Sequence, residues 1–486
     1  MFNELKNTVK QTSIYSLGNL STKLVGFILL PLYTGYLTTN EFGILAIFQA
    51  IGLILIGIFG FSLPTAMMRW YASEKDYVNQ RSIVFTTFIS TLFIAVLLSV
   101  ILVPFSREFS LRFFNDYSFS NYFVILFLSV SAGIINNVPL NLIRLKEKSV
   151  FYIILTSIKF LIIVLLNIYF VAKLEIGVIG IIISELVGNI FIIVFTIPFL
   201  LKNFTLKINF KILTKMFKFG LPLVFSTVSI FALTLGDRFI IKYFYGDSSV
   251  GVYSVGHKVA SVINMLILQS FQLGFLPIAY KKFKEANAKR YFSKVLTYYT
   301  LILTLSALVL SLFSKELIEL LTLKKEYWLA IPVVPIISFA FIFKGIQYVL
   351  SLSFHYTKKT FYNAIIVIIT AILSILLNYI LVEKYDFTGA AIAFFISILV
   401  MMLLSYYFGQ RVYFIPYEKS KLMKIFFVGA TLFLCSYPIN EIQIISRLFL
   451  KAGLVLSFPV ILFYLNVFDR VEIEKVKELL SKKRLT

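Results

Sequence analysis

Lys23, Lys159, Glu185, Asp237 and Lys344 each interrupt a long apolar stretch, and the pairs Asp237-Arg238 and His257-Lys258 add two more charged steps. A charge at the centre of a bilayer costs about 2.5–3.5 kcal/mol on insertion scales, so a membrane protein that keeps such residues shelters them in polar cavities. The set is mostly cationic, and its chemistry is the attraction of an anion. Catalytic signatures are missing. Two histidines, His257 and His355, lie too far apart for zinc-ligand spacing, and one cysteine, Cys435, excludes an intrachain disulfide framework. No G-x-x-x-x-G-K-[ST], G-x-S-x-G or H-E-x-x-H motif occurs, so no ATP hydrolysis, acyl-enzyme or metalloprotease chemistry is expected.

Polar residues recur around these charges at helical spacing. Ser16, Asn19, Lys23 and Gly26 form one stripe. Tyr253, His257, Ser261 and Asn264 form a second, with Lys258 beside it, and Lys344, Gln347, Ser351 and His355 form a third. Ser226, Ser229 and Thr234 lead up to Asp237-Arg238. Glu185 precedes Asn189 by one helical turn, while Asn136, Asn137, Asn141, Lys159 and Asn167 punctuate neighbouring apolar runs. Two readings apply to each stripe. In the first, polar groups glue apolar helices together, long lysines snorkel to an interface, and Asp237 forms a structural ion pair with Arg238, Lys258 or His257. In the second, the stripes line a cavity. Asn19, Lys23, Arg238, His257, Lys258 and Lys344 are then the substrate-binding candidates, and Asp237 and Glu185 the coupling or ion-pair candidates. No cofactor is expected. Proton or sodium coupling through Asp237, Glu185 or His257 and passive, gradient-driven transport both stay open.

The elements that position these residues follow from composition. The chain has 486 residues, 59% hydrophobic and only 14% charged, with a net charge of +23. Such a chain cannot solvate its surface as a soluble domain and reads as an all-α polytopic membrane protein. A nucleic-acid partner is not the reading of the positive charge, because Lys and Arg concentrate in short loops on one side. Spans of about 20 residues fit fourteen apolar segments, centred near 23, 53, 93, 131, 161, 189, 230, 264, 303, 342, 371, 400, 430 and 457. With both termini inside, inner loops hold about 31 Lys and Arg and outer loops about ten. The inner set includes Arg144-Leu-Lys146-Glu-Lys148 and the Lys202–Lys218 segment. The first apolar run reads as a span and not as a cleavable signal.

An internal repeat is visible. Residues 148–173 shifted by 211 fall on 359–384, so that Leu165-Leu166-Asn167 meets Leu376-Leu377-Asn378. A shift of 208 places Glu41-Phe-Gly43 on Ser249-Val-Gly251. Both shifts move an even number of spans, so the repeats run parallel. The expected organisation is an N-terminal lobe over 1–205, a C-terminal lobe over 206–415, two further spans over 416–468 and a cytoplasmic amphipathic tail over 469–486. Two-lobe transporters of this kind place substrate at the repeat interface and alternate access by rocking.

The segments Tyr15-Ser-Leu-Gly-Asn-Leu-Ser-Thr-Lys-Leu-Val-Gly-Phe-Ile-Leu-Leu-Pro-Leu-Tyr-Thr34 and Thr39-Asn-Glu-Phe-Gly43 resemble the start of bacterial polysaccharide flippases. Leu235-Gly-Asp-Arg-Phe-Ile-Ile and Val250-Gly-Val-Tyr-Ser254 resemble the same proteins, which belong to the multidrug/oligosaccharidyl-lipid/polysaccharide exporter superfamily. The resemblance implies a fold like that of the multidrug (MATE) transporters, with a central, often cationic cavity lined by spans 1, 2, 7 and 8. It also implies translocation of undecaprenyl-diphosphate-linked oligosaccharides across the bacterial cytoplasmic membrane, for O-antigen, capsule or exopolysaccharide. Membrane lipids, a polysaccharide polymerase and a chain-length regulator are the implied partners. Lys23 stands where drug-exporting relatives carry an acid, which argues against a cationic drug. A lipid II flippase or a drug antiporter of the same fold, and a membrane glycosyltransferase or polymerase, are the competing readings.

Overall fold

The computed structural model describes residues 27–283 and 285–469, and every regular element within them is helical. α1 (Leu30–Tyr36), α2 (Thr39–Phe59), α3 (Leu63–Ser73), α4 (Tyr77–Leu102), α5 (Ser106–Phe114), α6 (Ser120–Leu145), α7 (Ser149–Asn167) and α8 (Val178–Leu201) lead to α9 (Phe210–Ala260). α10 (Gln269–Lys282), α11 (Ala288–Leu312), α12 (Ser314–Leu321), α13 (Val333–Tyr356), α14 (Phe361–Val412), α15 (Lys419–Cys435) and α16 (Ile444–Tyr464) follow. Lys23 and Asn19 lie outside the described residues, as does the 469–486 tail apart from Asp469.

Local chemistry sets the starts and breaks. Thr38 caps α2 by accepting from the Glu41 N–H at 3.2 Å, and Glu41 returns the bond by accepting from the Thr38 N–H at 2.8 Å. The uncharged run 42–68 reads as one span, but the structure breaks it. Phe61 and Ser62 take left-handed φ of 45° and 49°, and Pro64 opens α3. Hydropathy is blind to this break, because the residues around it are as apolar as those on either side.

Eleven helical segments of the described residues are long and apolar enough to cross a bilayer. Two of them, Phe210–Leu276 and α14, are far too long for one crossing. Tyr253 donates a hydrogen bond to Asp237, sixteen residues back, which a straight helix would hold about 24 Å away. The chain therefore reverses at Gly246, whose φ is 79°. α14 reverses in the same way at Asp386, where φ is 49°, and brings Gly389 against the Leu381 carbonyl. Counting these two segments twice raises eleven to thirteen passes, and the first of the fourteen expected spans lies mostly outside the described residues.

The repeat has a backbone counterpart. Asn167 and Asn378 are both buried and bond the carbonyls of Ile163 and Ser374, four residues back, at 2.6 and 2.8 Å. The left-handed residues Glu175 and Asp386 stand at matched positions, as do Glu147 and Lys358.

The described chain forms two compact units. Among the described residues, the first comprises those up to Lys258, Leu321–Leu329 and Val367–Phe394, and its core includes Leu63, Met67, Val84, Val138, Leu142 and Met216. The second comprises Val259–Leu320, Ala330–Ile366 and the described residues from Phe395 onward. One of its cores packs Leu308, Leu312, Ile425, Phe458 and Leu462.

Candidate functional site

In the first unit, the α9 hairpin folds Asp237-Arg238 against the Tyr253–Lys258 stripe. Arg238 Nη1 donates to Asp237 Oδ1 at 2.8 Å and to the Thr234 carbonyl at 3.1 Å. Tyr253 donates its hydroxyl proton to Asp237 Oδ2. Both carboxylate oxygens are thus engaged, and Asp237 is 2% exposed. The Arg238 guanidinium sits 5.6 Å from the Tyr253 ring centre. The His257 ring lies 5.7 Å from Tyr253 and 5.8 Å from Phe394. Lys258 Nζ faces the rings of Phe42 and Tyr33 at 5.0 and 5.8 Å. Aromatic faces attract cations, more so when water is excluded. Asp237 pairs with Arg238, and Lys258 adds an ammonium against aromatic faces beside that pair.

The same unit is closed over this cluster at one end by backbone-to-backbone packing. A Cβ on Gly43 would lie 1.8 Å from the Asp247 carbonyl oxygen, and one on Gly251 would lie 1.9 Å from that of Thr39. These are the glycines paired by the 208-residue shift. Thr39 and Ser248 share a hydroxyl hydrogen bond of 2.8 Å, and Tyr327 donates to the Thr38 carbonyl at 2.8 Å.

Glu185 sits elsewhere in the first unit. It lines a cavity of about 210 Å³ with Gln49, Gly52, Ser129, Ile182 and Asn189. Asn189 accepts from Lys159 Nζ at 2.7 Å and donates to Ser129 Oγ at 3.1 Å. Lys159 therefore belongs with this network. Lys344 lies in the second unit, 5.5 Å from the Phe341 ring centre, and no carboxylate among the described residues pairs with it. Gln347, next on its stripe, donates to Ser405 Oγ at 3.3 Å.

Sequence reasoning named Tyr253 only as a stripe member and missed Arg447 and Lys451. Both lie in α16 and converge on Glu316 of α12: Arg447 Nε at 2.7 Å and Lys451 Nζ at 2.9 Å, with Lys451 fully buried. The signal was present as two cations one turn apart in an apolar span and Glu316/Glu319 on a short amphipathic helix.

An all-helical bundle with a parallel repeat and buried charges sheltered among apolar helices defines a multi-pass membrane protein with the fold of the multidrug/oligosaccharidyl-lipid/polysaccharide exporter superfamily. The chain belongs to the polysaccharide biosynthesis protein family, whose model matches residues 8–279, and the MatE model matches residues 222–380. The Staphylococcus aureus capsular polysaccharide biosynthesis protein CapF is 26% identical over 202 residues, which is 41% of this chain and 50% of CapF. An uncharacterized membrane protein of Haemophilus influenzae is 24% identical over 58% of this chain and 67% of its own. The matched region thus spans half of the staphylococcal relative's length. Among solved structures, the lipid II flippase MurJ in an inward closed conformation aligns with TM-score 0.74 at 16% identity, over 94% of this chain and 98% of that one. An inward-facing multidrug resistance MATE transporter aligns with TM-score 0.66 at 17% identity, over 84% and 95%.

Proposed function

We propose that the protein is a flippase that moves undecaprenyl-diphosphate-linked oligosaccharide from the inner to the outer face of the bacterial cytoplasmic membrane, with both termini cytoplasmic. It feeds O-antigen, capsule or exopolysaccharide synthesis, beside a polymerase and a chain-length regulator, and works by alternating access. The observation that carries this reading is the placing of the Lys258 ammonium against aromatic rings beside the buried Asp237–Arg238 pair. Arg238 is matched by Asp237, and Lys258 supplies a further cation against aromatic faces. A diphosphate 5 Å from one such cation, at an effective dielectric of about 20, gains about 3 kcal/mol per unit charge. For ion coupling Glu185 is the stronger candidate. It faces a cavity, whereas both Asp237 oxygens are occupied by Arg238 and Tyr253.

The test is Lys23→Ala, Lys258→Ala and Lys344→Ala in cells. Surface polysaccharide falls and lipid-linked repeat units build up on the inner face. Loss of one desolvated contact lowers substrate binding roughly ten- to hundred-fold, from about 1.5–3 kcal/mol. Lys23→Arg keeps partial function. Export at wild-type rate by all three alanine variants, at normal expression, would reject the cationic-cavity reading, and accumulation of lipid II in their place would favour the lipid II alternative.

A further inference from the structure

A second cationic cluster lies in the first unit, on segments that the Asp237 site does not use. Arg81 comes from the first turns of α4, Arg144 from the end of α6, and Lys146 and Lys148 from the loop before α7. The Tyr77 ring serves two cations at once, with Arg81 Cζ at 5.6 Å and Lys146 Nζ at 5.9 Å from its centre. Lys146 also donates to Asn203 Oδ1, just past α8, which draws a third segment into the cluster. Lys148 Nζ lies 5.2 Å from the Phe199 ring, and Arg144 donates to the Tyr152 hydroxyl. Among the described residues, Arg81, Lys146 and Lys148 form no ion pair, although Glu147 stands in the same loop. Arg81 Nε is buried without a hydrogen-bond partner. Burial, and then the neighbouring charges of Lys148 and Arg81, hold the Lys146 ammonium below its ordinary pKa. Each of these cations disfavours the charged form of its neighbours, and a bound anion would relieve that.

The turn itself does not need these charges. Its repeat partner has the same backbone. Lys148 N–H bonds the Ile143 carbonyl at 3.0 Å, and Lys359 N–H bonds that of Phe354 at 2.9 Å. Glu147 and Lys358 share the left-handed φ, at 53° and 60°. At the positions of Arg144, Lys146 and Lys148 the second loop carries His355, Thr357 and Lys359. Lys358 stands where the first loop has Glu147, so the net charge of the two loops matches and what differs is the placing of cations at Arg144 and Lys146, which the backbone of the turn does not require.

We propose that Arg81, Lys146 and Lys148 form a phosphate site for the headgroup of a membrane lipid at the inner end of the first unit. Arg forks and Lys point charges are the side chains that bind phosphate, and basic pockets between spans on the cytoplasmic side take anionic headgroups. Tyr77 is an aromatic at the end of a span, where such rings meet headgroups. The phosphate has two sources, a bulk anionic phospholipid or the diphosphate of a polyprenyl-linked substrate, and the inference holds with either.

The experiment uses the full-length chain in neutral detergent and measures binding of dioctanoyl phosphatidylglycerol, farnesyl diphosphate and dioctanoyl phosphatidylcholine by native mass spectrometry. The wild type binds one of the two anionic probes about tenfold more tightly than phosphatidylcholine, and Lys146→Gln/Lys148→Gln loses that margin. Lys146→Arg/Lys148→Arg keeps it. The matched pair Lys358→Gln/Lys359→Gln, in the repeat-related loop, changes binding by less than about twofold. Preference for farnesyl diphosphate assigns the site to the substrate, and preference for phosphatidylglycerol assigns it to bulk lipid. Arg81→Gln, which leaves the loop untouched, reads the same loss if the double glutamine variant does not fold. Equal binding of phosphatidylcholine, wild-type binding by the glutamine variants, or an equal loss in the matched pair would overturn the proposal.

Discussion

Gly251→Val tests whether the closed end of the first unit depends on the backbone contact between the two repeat-related glycines. A Cβ on Gly251 falls 1.9 Å from the Thr39 carbonyl oxygen, while real Cβ contacts essentially never come below 3.0 Å. The helices must separate there by at least the difference, about 1.1 Å, and neither neighbour is a flexible side chain that can swing away. Overpacking of this kind costs about 1–3 kcal/mol, or roughly five- to hundred-fold in the ratio of closed to open ends. The hydroxyl oxygens of Thr39 and Ser248, 2.8 Å apart beside the crossing, supply the assay. With Cys435 replaced by Ser, a Thr39→Cys/Ser248→Cys pair forms a disulfide readily in the parent. Adding Gly251→Val lowers the rate and extent of cross-linking and lowers export with them. Gly43→Ala acts at the same crossing, so the two glycine substitutions together cost less than the sum of their separate effects. Unchanged cross-linking and an unchanged melting temperature in Gly251→Val would refute the argument.

Asp237→Asn leaves Arg238 buried without its counter-charge, so a loss of about 3–5 kcal/mol is expected. Melting temperature and membrane abundance should fall more than for Asp247→Asn, and Tyr253→Phe should give a smaller loss of the same sign. Glu316→Gln removes the shared partner of Arg447 and Lys451. Thermal unfolding should show a loss of similar size, which Glu319→Gln, 4.0 Å from Arg447, does not reproduce. The Asp469 carboxyl is held down to about 2 by hydrogen bonds from Lys294 and Lys421, against 3.8 for the free group. Its folded pKa is depressed, so the stability it contributes is complete above pH 3.8 and is lost as pH falls towards 2. A melting temperature that declines across that window in the parent, and declines less in Asp469→Asn, is the expected result.

The class of protein was legible in the amino-acid sequence because its signals are local. Apolar run length, helical polar stripes and the bias of Lys and Arg among short loops each need no knowledge of what a helix packs against. The parallel repeat was legible for the same reason, and matched left-handed residues at Glu147/Lys358 and Glu175/Asp386 show it in the backbone. The residues of the Asp237 cluster were legible as intramembrane charges, but their pairing was not. The sequence left Arg238, Lys258 and His257 as equal partners for Asp237. Arg238, next in the chain on the same helix arm, took Asp237 without any reversal, and the reversal at Gly246 added Tyr253, because it sets residues sixteen apart side by side. The Gly43–Gly251 crossing and the Glu316 network were likewise decided by tertiary packing. Each depends on the distance between groups far apart in the chain, and burial turns that distance into energy only once the helices have met.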